Sequence, residues 1–252
     1  MPEAQISKTN QTNGEVSCKQ PGLLKRILWV LISPGKLMEC LAQKPRVLFG
    51  LILAAVSMDI FYYVRLPLFK DYTRNTLVAT NAYMESLLGQ SATAEMVEES
   101  LPSTIVQSFI LTPVMMVVGL LFITLVYFAI LKIMGGKGKF KAYLSVLSYS
   151  YVITAIYILI TMLASFITGS LHIGTPLTSL AMLAPNEMKG TFLYGILTGL
   201  ELFSIWNCVV IAIGLTAVSR LKKVYVYSAV GVVFIIGLLI TAVQSAAMYA
   251  IM

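Results

Sequence analysis

The chain alternates between five long apolar runs and shorter polar stretches. The runs cover residues 47–64, 105–131, 142–167, 191–219 and 225–252. Each is long and strongly apolar, as a helix surrounded by lipid must be. Crossing a hydrocarbon core takes about 20 apolar residues, with a range of roughly 17–25 or more when tilted, so all five predict transmembrane helices. The first is the shortest and is bracketed by Arg46 and Arg65. The second is predicted to start at Pro102 with the capping box Thr104-x-x-Gln107, and to kink at Pro113. The last carries no charge.

Between and before these runs the pattern changes. Residues 1–20 are rich in Gln, Asn, Thr, Ser and Lys, which predicts a disordered cytoplasmic tail. Residues 23–32 (LLKRILWVLI) are apolar but too short to span, and Lys25, Arg26 and Trp29 suit a helix in the headgroup layer. Ser33-Pro34 then reads as a helix start, followed by an apolar stripe of Leu37, Met38 and Leu41. Residues 21–45 are thus predicted to form short interfacial amphipathic helices, ahead of a transmembrane domain over 46–252. After the first span, Leu77, Met84, Leu87 and Leu88 recur at helical spacing up to Gly89, a C-cap residue. Two short amphipathic helices on the outer surface are expected there. Residues 168–190 form a second outer loop with little charge.

Composition agrees with this pattern. Apolar residues make up 58% of the chain and charged residues 12%, where soluble domains carry about a quarter. That excludes an ordinary soluble enzyme, a disordered protein and a fibrous repeat. The net charge of +7 does not point to nucleic acid, because the basic residues cluster beside apolar runs. Seven Lys and Arg precede the first span, four lie at 132–141 and three at 220–223. The first outer segment has three against five acids, and the second has one. The positive-inside rule therefore predicts a cytoplasmic N-terminus, five crossings and a C-terminus outside. Cys18, Cys40 and Cys208 match no ligand spacing, so neither a disulfide framework nor structural zinc is expected. The polar start lacks the core of a cleavable signal peptide.

Two acids fall inside apolar runs. Glu201 is about ten residues into the fourth, near mid-bilayer, where a charge costs roughly 2.5–3.5 kcal/mol on insertion scales. On a continuous helix Tyr194, Thr198, Glu201, Ser204 and Cys208 share one side. Glu201 is then either a proton or ion ligand, or a neutral acid bonded to neighbouring hydroxyls. Asp59 lies toward the outer end of the first run and suits a structural role, reaching the interface or pairing with Arg65 through water. Ser150, Thr154, Tyr157 and Thr161 form a hydroxyl stripe on the third run, as interhelical glue or the lining of a polar path. This stripe is expected to pair with the Glu201 side. His172 is the only histidine, no nucleophile elbow or metal-protease motif is present, and no cofactor or metal site is expected. The segment 135–141 lacks the spacing of a phosphate loop and reads as a flexible basic turn that touches anionic headgroups.

Four places resemble the Yip family, five-span membrane proteins of the Ypt/Rab-interacting type, in its bacterial style. Leu31-Ile32-Ser33-Pro34-Gly35-Lys36 is similar to its first short helix start. Gly135, Gly136, Gly138 and Phe140 match its Gly-Gly-x-Gly-x-Phe loop. Tyr149-Ser150 is similar to its third-span Tyr-Ser pair. Glu201, Phe203, Ser204 and Trp206, with Gly214 further on, resemble its fourth-span motif. There is no proline shortly after Tyr149-Ser150, and the turn at 220–223 lacks the family's small residues. The resemblance agrees with an all-α, polytopic five-span bundle, and the absence of catalytic motifs leads to the expectation that it is not an enzyme. Its eukaryotic relatives bind Rab-type GTPases and each other between endoplasmic reticulum and Golgi, and its bacterial relatives have no settled activity. The expected role is a scaffold that organises partners or lipid, and the alternative is a small-solute or ion pathway through Glu201. The expected partners are the bilayer, other membrane proteins or a second copy, and no nucleic acid. The expected location is the cell membrane, or endoplasmic reticulum and Golgi membranes in a eukaryote.

Overall fold

A computed structural model describes residues 22–89, 93–173 and 175–251; the tail expected over 1–20 lies outside them. Among the described residues the regular structure is helical. It comprises α1 (Leu23–Ile32), α2 (Pro34–Gln43), α3 (Leu48–Val64), α4 (Leu66–Leu88), α5 (Ala94–Ile133), α6 (Phe140–Thr168), α7 (Phe192–Gly199), α8 (Leu202–Ser219) and α9 (Lys223–Ile251), with two short 3-10 turns before α7. Helices α5, α6, α8 and α9 are each long and apolar enough to cross a membrane, and α3 with α4 forms a pair bent by 95° that also qualifies. The molecule is an all-helical, polytopic bundle.

Helix α6 is its axis. Residues 142–150 of α6 are all buried, wrapped by α1, α2, α3, α5 and α8. Small residues permit this crowding, because they let helix backbones approach closely where lipid offers no hydrophobic drive to association. A Cβ at Gly50 of α3 would lie 2.2 Å from the Ser148 carbonyl oxygen. One at Gly214 of α8 would lie 2.4 Å from Val146 Cγ1 and 3.0 Å from Met38 Sδ. Helices α3 and α6 run in the same sense. At one end the Arg46 amide donates to Ser145 Oγ (3.0 Å), whose hydroxyl donates back to the Arg46 carbonyl (2.8 Å). At the other end Arg65 Nη2 donates to the Ser165 carbonyl (2.8 Å). Helix α5 runs the opposite way, with Phe109 against Phe69 at the start of α4 and Phe128 against Phe140 and Tyr143 at the start of α6.

The N-terminal helices are more deeply engaged than a headgroup-layer helix. The stripe Leu37, Met38 and Leu41 of α2 is buried against α6 and α8. On α1, Leu24, Leu28 and Ile32 face outward at four-residue steps, while Val30 and Arg26 turn inward. Arg26 was expected among headgroups; instead its Nη1 donates to the Tyr149 hydroxyl at 3.0 Å. Tyr149 is nine residues into α6, about 14 Å along its axis. Cys40 is disulfide-bonded, contrary to the expectation from spacing, and Cys208 is free.

On the opposite side the expected pair of short helices is one 23-residue helix, α4. It closes at Gly89, which has φ +67° and donates its amide to the Glu85 carbonyl at 2.8 Å, as the C-cap reading predicts. Helix α5 then begins well before Pro102, with Thr93 as N-cap, and runs through both prolines. Its 40 residues extend about 60 Å, twice the hydrocarbon thickness, so its first turns project beyond the lipid. There α4 packs on it, and Arg74 bonds both carboxylate oxygens of Glu98 at 2.5 and 3.2 Å.

Candidate functional site

The fourth apolar run is not one helix. It breaks at Leu200-Glu201 into α7 and α8. Glu201 is extended (φ −112°, ψ 136°) and is the N-cap of α8. A span broken in lipid strands backbone donors and acceptors, and each must find a partner. The outer loop provides them. Leu180 N donates to the Leu200 carbonyl (3.2 Å) and Leu202 N to the Thr178 carbonyl (3.3 Å), closing an antiparallel bridge between Ser179 and Glu201. Helix α7 lies against α9 with almost no gap, since a Cβ at Gly195 would lie 2.5 Å from Ala242 Cα.

Glu201 is 5% exposed, and its carboxylate is filled by its own chain. Oε1 accepts from Phe203 N (2.9 Å) and from the Thr178 hydroxyl. Oε2 accepts from Ser204 N (2.7 Å) and Ser204 Oγ (2.9 Å). The four donors come from the first turn of α8 and from the loop that faces it. Helix α8 also sets how far Glu201 lies from the basic turn. The 18 residues of α8 span about 27 Å between Glu201 and the basic turn at 220–223, close to the ~30 Å of a whole core. With that turn in one headgroup layer, Glu201 is near the opposite boundary. The shared face expected for Tyr194, Thr198, Glu201, Ser204 and Cys208 is interrupted by the break. Ser204 remains with Glu201, while the Tyr194 hydroxyl bonds Thr175 (2.7 Å).

Part of the hydroxyl stripe reaches this place. The Tyr157 ring is 5.6 Å from that of Phe203, and its hydroxyl lies beside Thr161 and the Leu177 backbone. Ser150 is elsewhere, buried and donating to the Leu147 carbonyl within α6 (2.9 Å), and Thr154 is half-buried above it. Asp59 joins neither group. Its Oδ1 is buried with no hydrogen bond among the described residues, and Arg65 is committed to Ser165 and to the face of Phe166 at 4.2 Å. Thr178 and Ser179 are the site residues the sequence reading missed. Their loop looks like any polar connection, and only a break in the facing helix gives them a task. The signal available was Gly199 two residues before the acid.

The glycine loop is knitted in rather than flexible. Gly136 N donates to the Leu131 carbonyl and Lys137 N to the Ser219 carbonyl at the end of α8, both at 2.7 Å. Tyr143 donates its hydroxyl to the Lys137 carbonyl (2.9 Å). Gly135 and Gly138 have φ of +87° and +88°, where a side chain would be strained. A Cβ on Gly138 would also meet Val218 Cγ1 at 2.7 Å. Trp206 projects outward from α8.

These features define an integral membrane protein, a bundle of apolar helices with one span interrupted and re-sealed by a loop. The chain matches the Yip1 domain over residues 29–243 and belongs to that family. No curated protein and no solved structure gives a significant match.

Proposed function

We propose that this protein is a non-enzymatic membrane scaffold that holds protein partners or lipid in place through its embedded surface. One observation carries the reading: the chain's best candidate for chemistry, Glu201, is saturated by four donors from its own backbone and side chains. A carboxylate so occupied stabilises a break in a helix and has no lone pair left over for a substrate. The cleft beside it, between α8 and α9, has a mixed lining in which Ser204, Asn207 and Thr241 face Val233, Phe234 and Leu238, and Glu201 does not line it. The proposed placement is the cell membrane, or the endoplasmic reticulum and Golgi in a eukaryote, with the basic end of the bundle in the cytoplasm. That orientation puts Cys40 in a reducing compartment, where its disulfide would open.

Crosslinking in native membranes tests the reading. A reproducible membrane-protein or lipid partner, or a second copy, recovered at near-stoichiometric yield supports it. Turnover of a substrate by the purified protein overturns it.

A second reading keeps one specific support. A discontinuous span with a half-helix N-terminus at the break is also how secondary transporters build ion sites. If Glu201 served such a path, proteoliposomes would show a solute- or ion-driven flux that Glu201→Gln abolishes. The scaffold reading expects no such flux in either protein.

A further inference from the structure

At the end of the bundle that gathers the basic segments there is an open cleft of about 910 Å³ between α2, the glycine loop, the end of α8 and the start of α9. Lys137, Lys139, Arg220 and Lys223 line it, against the single acid Glu39. None of these four cationic side chains has an ion pair or hydrogen bond among the described residues. Four unneutralised cations around one concavity raise the local concentration of anions and leave their hydrogen-bond donors free.

The cations are held in place by the backbone. Lys137 and Lys139 flank Gly138 on a turn pinned to Ser219 and Tyr143, so their Cα positions are fixed before any ligand arrives. Arg220 is in the left-handed region (φ 56°, ψ 23°) at the C-cap of α8, a place where glycine is unstrained and arginine is not. Such an outlier marks a position where the side chain is wanted despite the strain. The cleft also has an apolar wall, from Ile213, Ala217 and the ring of Tyr227. Tyr225 and Tyr227 are exposed at the start of α9, as interfacial aromatic anchors are, which sets the cleft at headgroup level.

We propose that this cleft is a binding site for a phosphate ester anion. Two sources carry that chemistry at this depth, the headgroup of an anionic phospholipid and a soluble phosphate ester. The site stands apart from the scaffold reading, because it is tested as direct binding to the purified protein, with no partner and no flux.

The experiment is native mass spectrometry of the full chain in delipidated detergent micelles. The ligands are dioctanoyl phosphatidylglycerol, dioctanoyl phosphatidylcholine and glycerol 3-phosphate. One saturable site is expected for the phosphatidylglycerol, with the zwitterionic phosphatidylcholine at least tenfold weaker. Lys139→Gln and Arg220→Gly are each expected to weaken binding about fivefold, the worth of one basic residue near a charged surface. Arg220→Gly removes the guanidinium while relieving the backbone, so its melting temperature stays at or above that of the parent. Saturation by the lipid but not by glycerol 3-phosphate assigns the site to a headgroup; equal saturation by both assigns it to the soluble ester. The proposal is overturned if neither ligand saturates, if phosphatidylcholine binds as well as phosphatidylglycerol, or if both variants bind like the parent.

Discussion

At Glu201 the role of a lone acid in an apolar run is decided by what donates to it. A charge in hydrocarbon without partners would leave the fold or take up a proton. This one ends a helix, and replacing it strands Phe203 N, Ser204 N and the Thr178 hydroxyl together. Glu201→Ala is expected to cost about 1–3 kcal/mol, the sum of a lost N-cap and stranded buried donors. Glu201→Gln keeps one acceptor oxygen and should fall between parent and Ala in thermal unfolding in detergent. Equal stability of all three would remove the capping role. The same scale governs Gly50, where a methyl would enter the Ser148 backbone. Gly50→Ala is expected to cost about 1–3 kcal/mol by overpacking. Gly119→Ala, with nothing within 4 Å of its Cβ, serves as the neutral control in the same assay.

Elements were legible wherever local chemistry and apolar pattern agreed. The two N-terminal helices, the Gly89 cap and the spans at α5, α6 and α9 all follow from spacing. Two elements were not. Pro102 and Thr104 read as a helix start, yet the helix passes through them, and the Thr104 hydroxyl donates back to the Ser100 carbonyl (2.9 Å) instead of capping an amide. The true start is Thr93, which accepts from Met96 N (3.3 Å). The break in the fourth run was hidden because apolarity is continuous across it; the seal comes from a loop twenty residues earlier, beyond the reach of any local pattern. That seal gives a prediction for the element. In hydrogen exchange the amides of Leu180 and Leu202 should be protected by their cross-loop bonds, and Thr178→Val should leave both still protected but weaken them by about 1 kcal/mol. Fast exchange of both amides in the parent protein would mean that the bridge is not kept in lipid. Helix α1 depends on a different contact. Tyr149→Phe leaves the buried Arg26 without that acceptor, and trypsin should then cut after Lys25 or Arg26 faster than in the parent by several fold.

For the whole molecule, the lysines and arginines do more than mark a side. The sequence reading placed them in three separate segments on the basis of counts alone. In the bundle these segments meet: α2 packs on α8, the glycine loop bonds to Ser219, and Arg46 is clasped by Ser145 of α6. Charge asymmetry is thereby built into a single rigid end. Helices α3 and α6 point away from it together, and the loop that seals the break lies near its opposite pole. Insertion must then place all of this end in one compartment and the loop at residues 175–190 in the other. In a cysteine-free background, Lys222→Cys should be shielded from a membrane-impermeant maleimide in intact cells and react after permeabilisation, while Asn186→Cys should react in both. Reaction of both positions in intact cells would break the five-span arrangement itself, because α8 alone separates them from the broken end to the basic turn. The inverse pattern would keep the bundle and reverse only its orientation, placing the disulfide at Cys40 in an oxidising compartment, where it would persist.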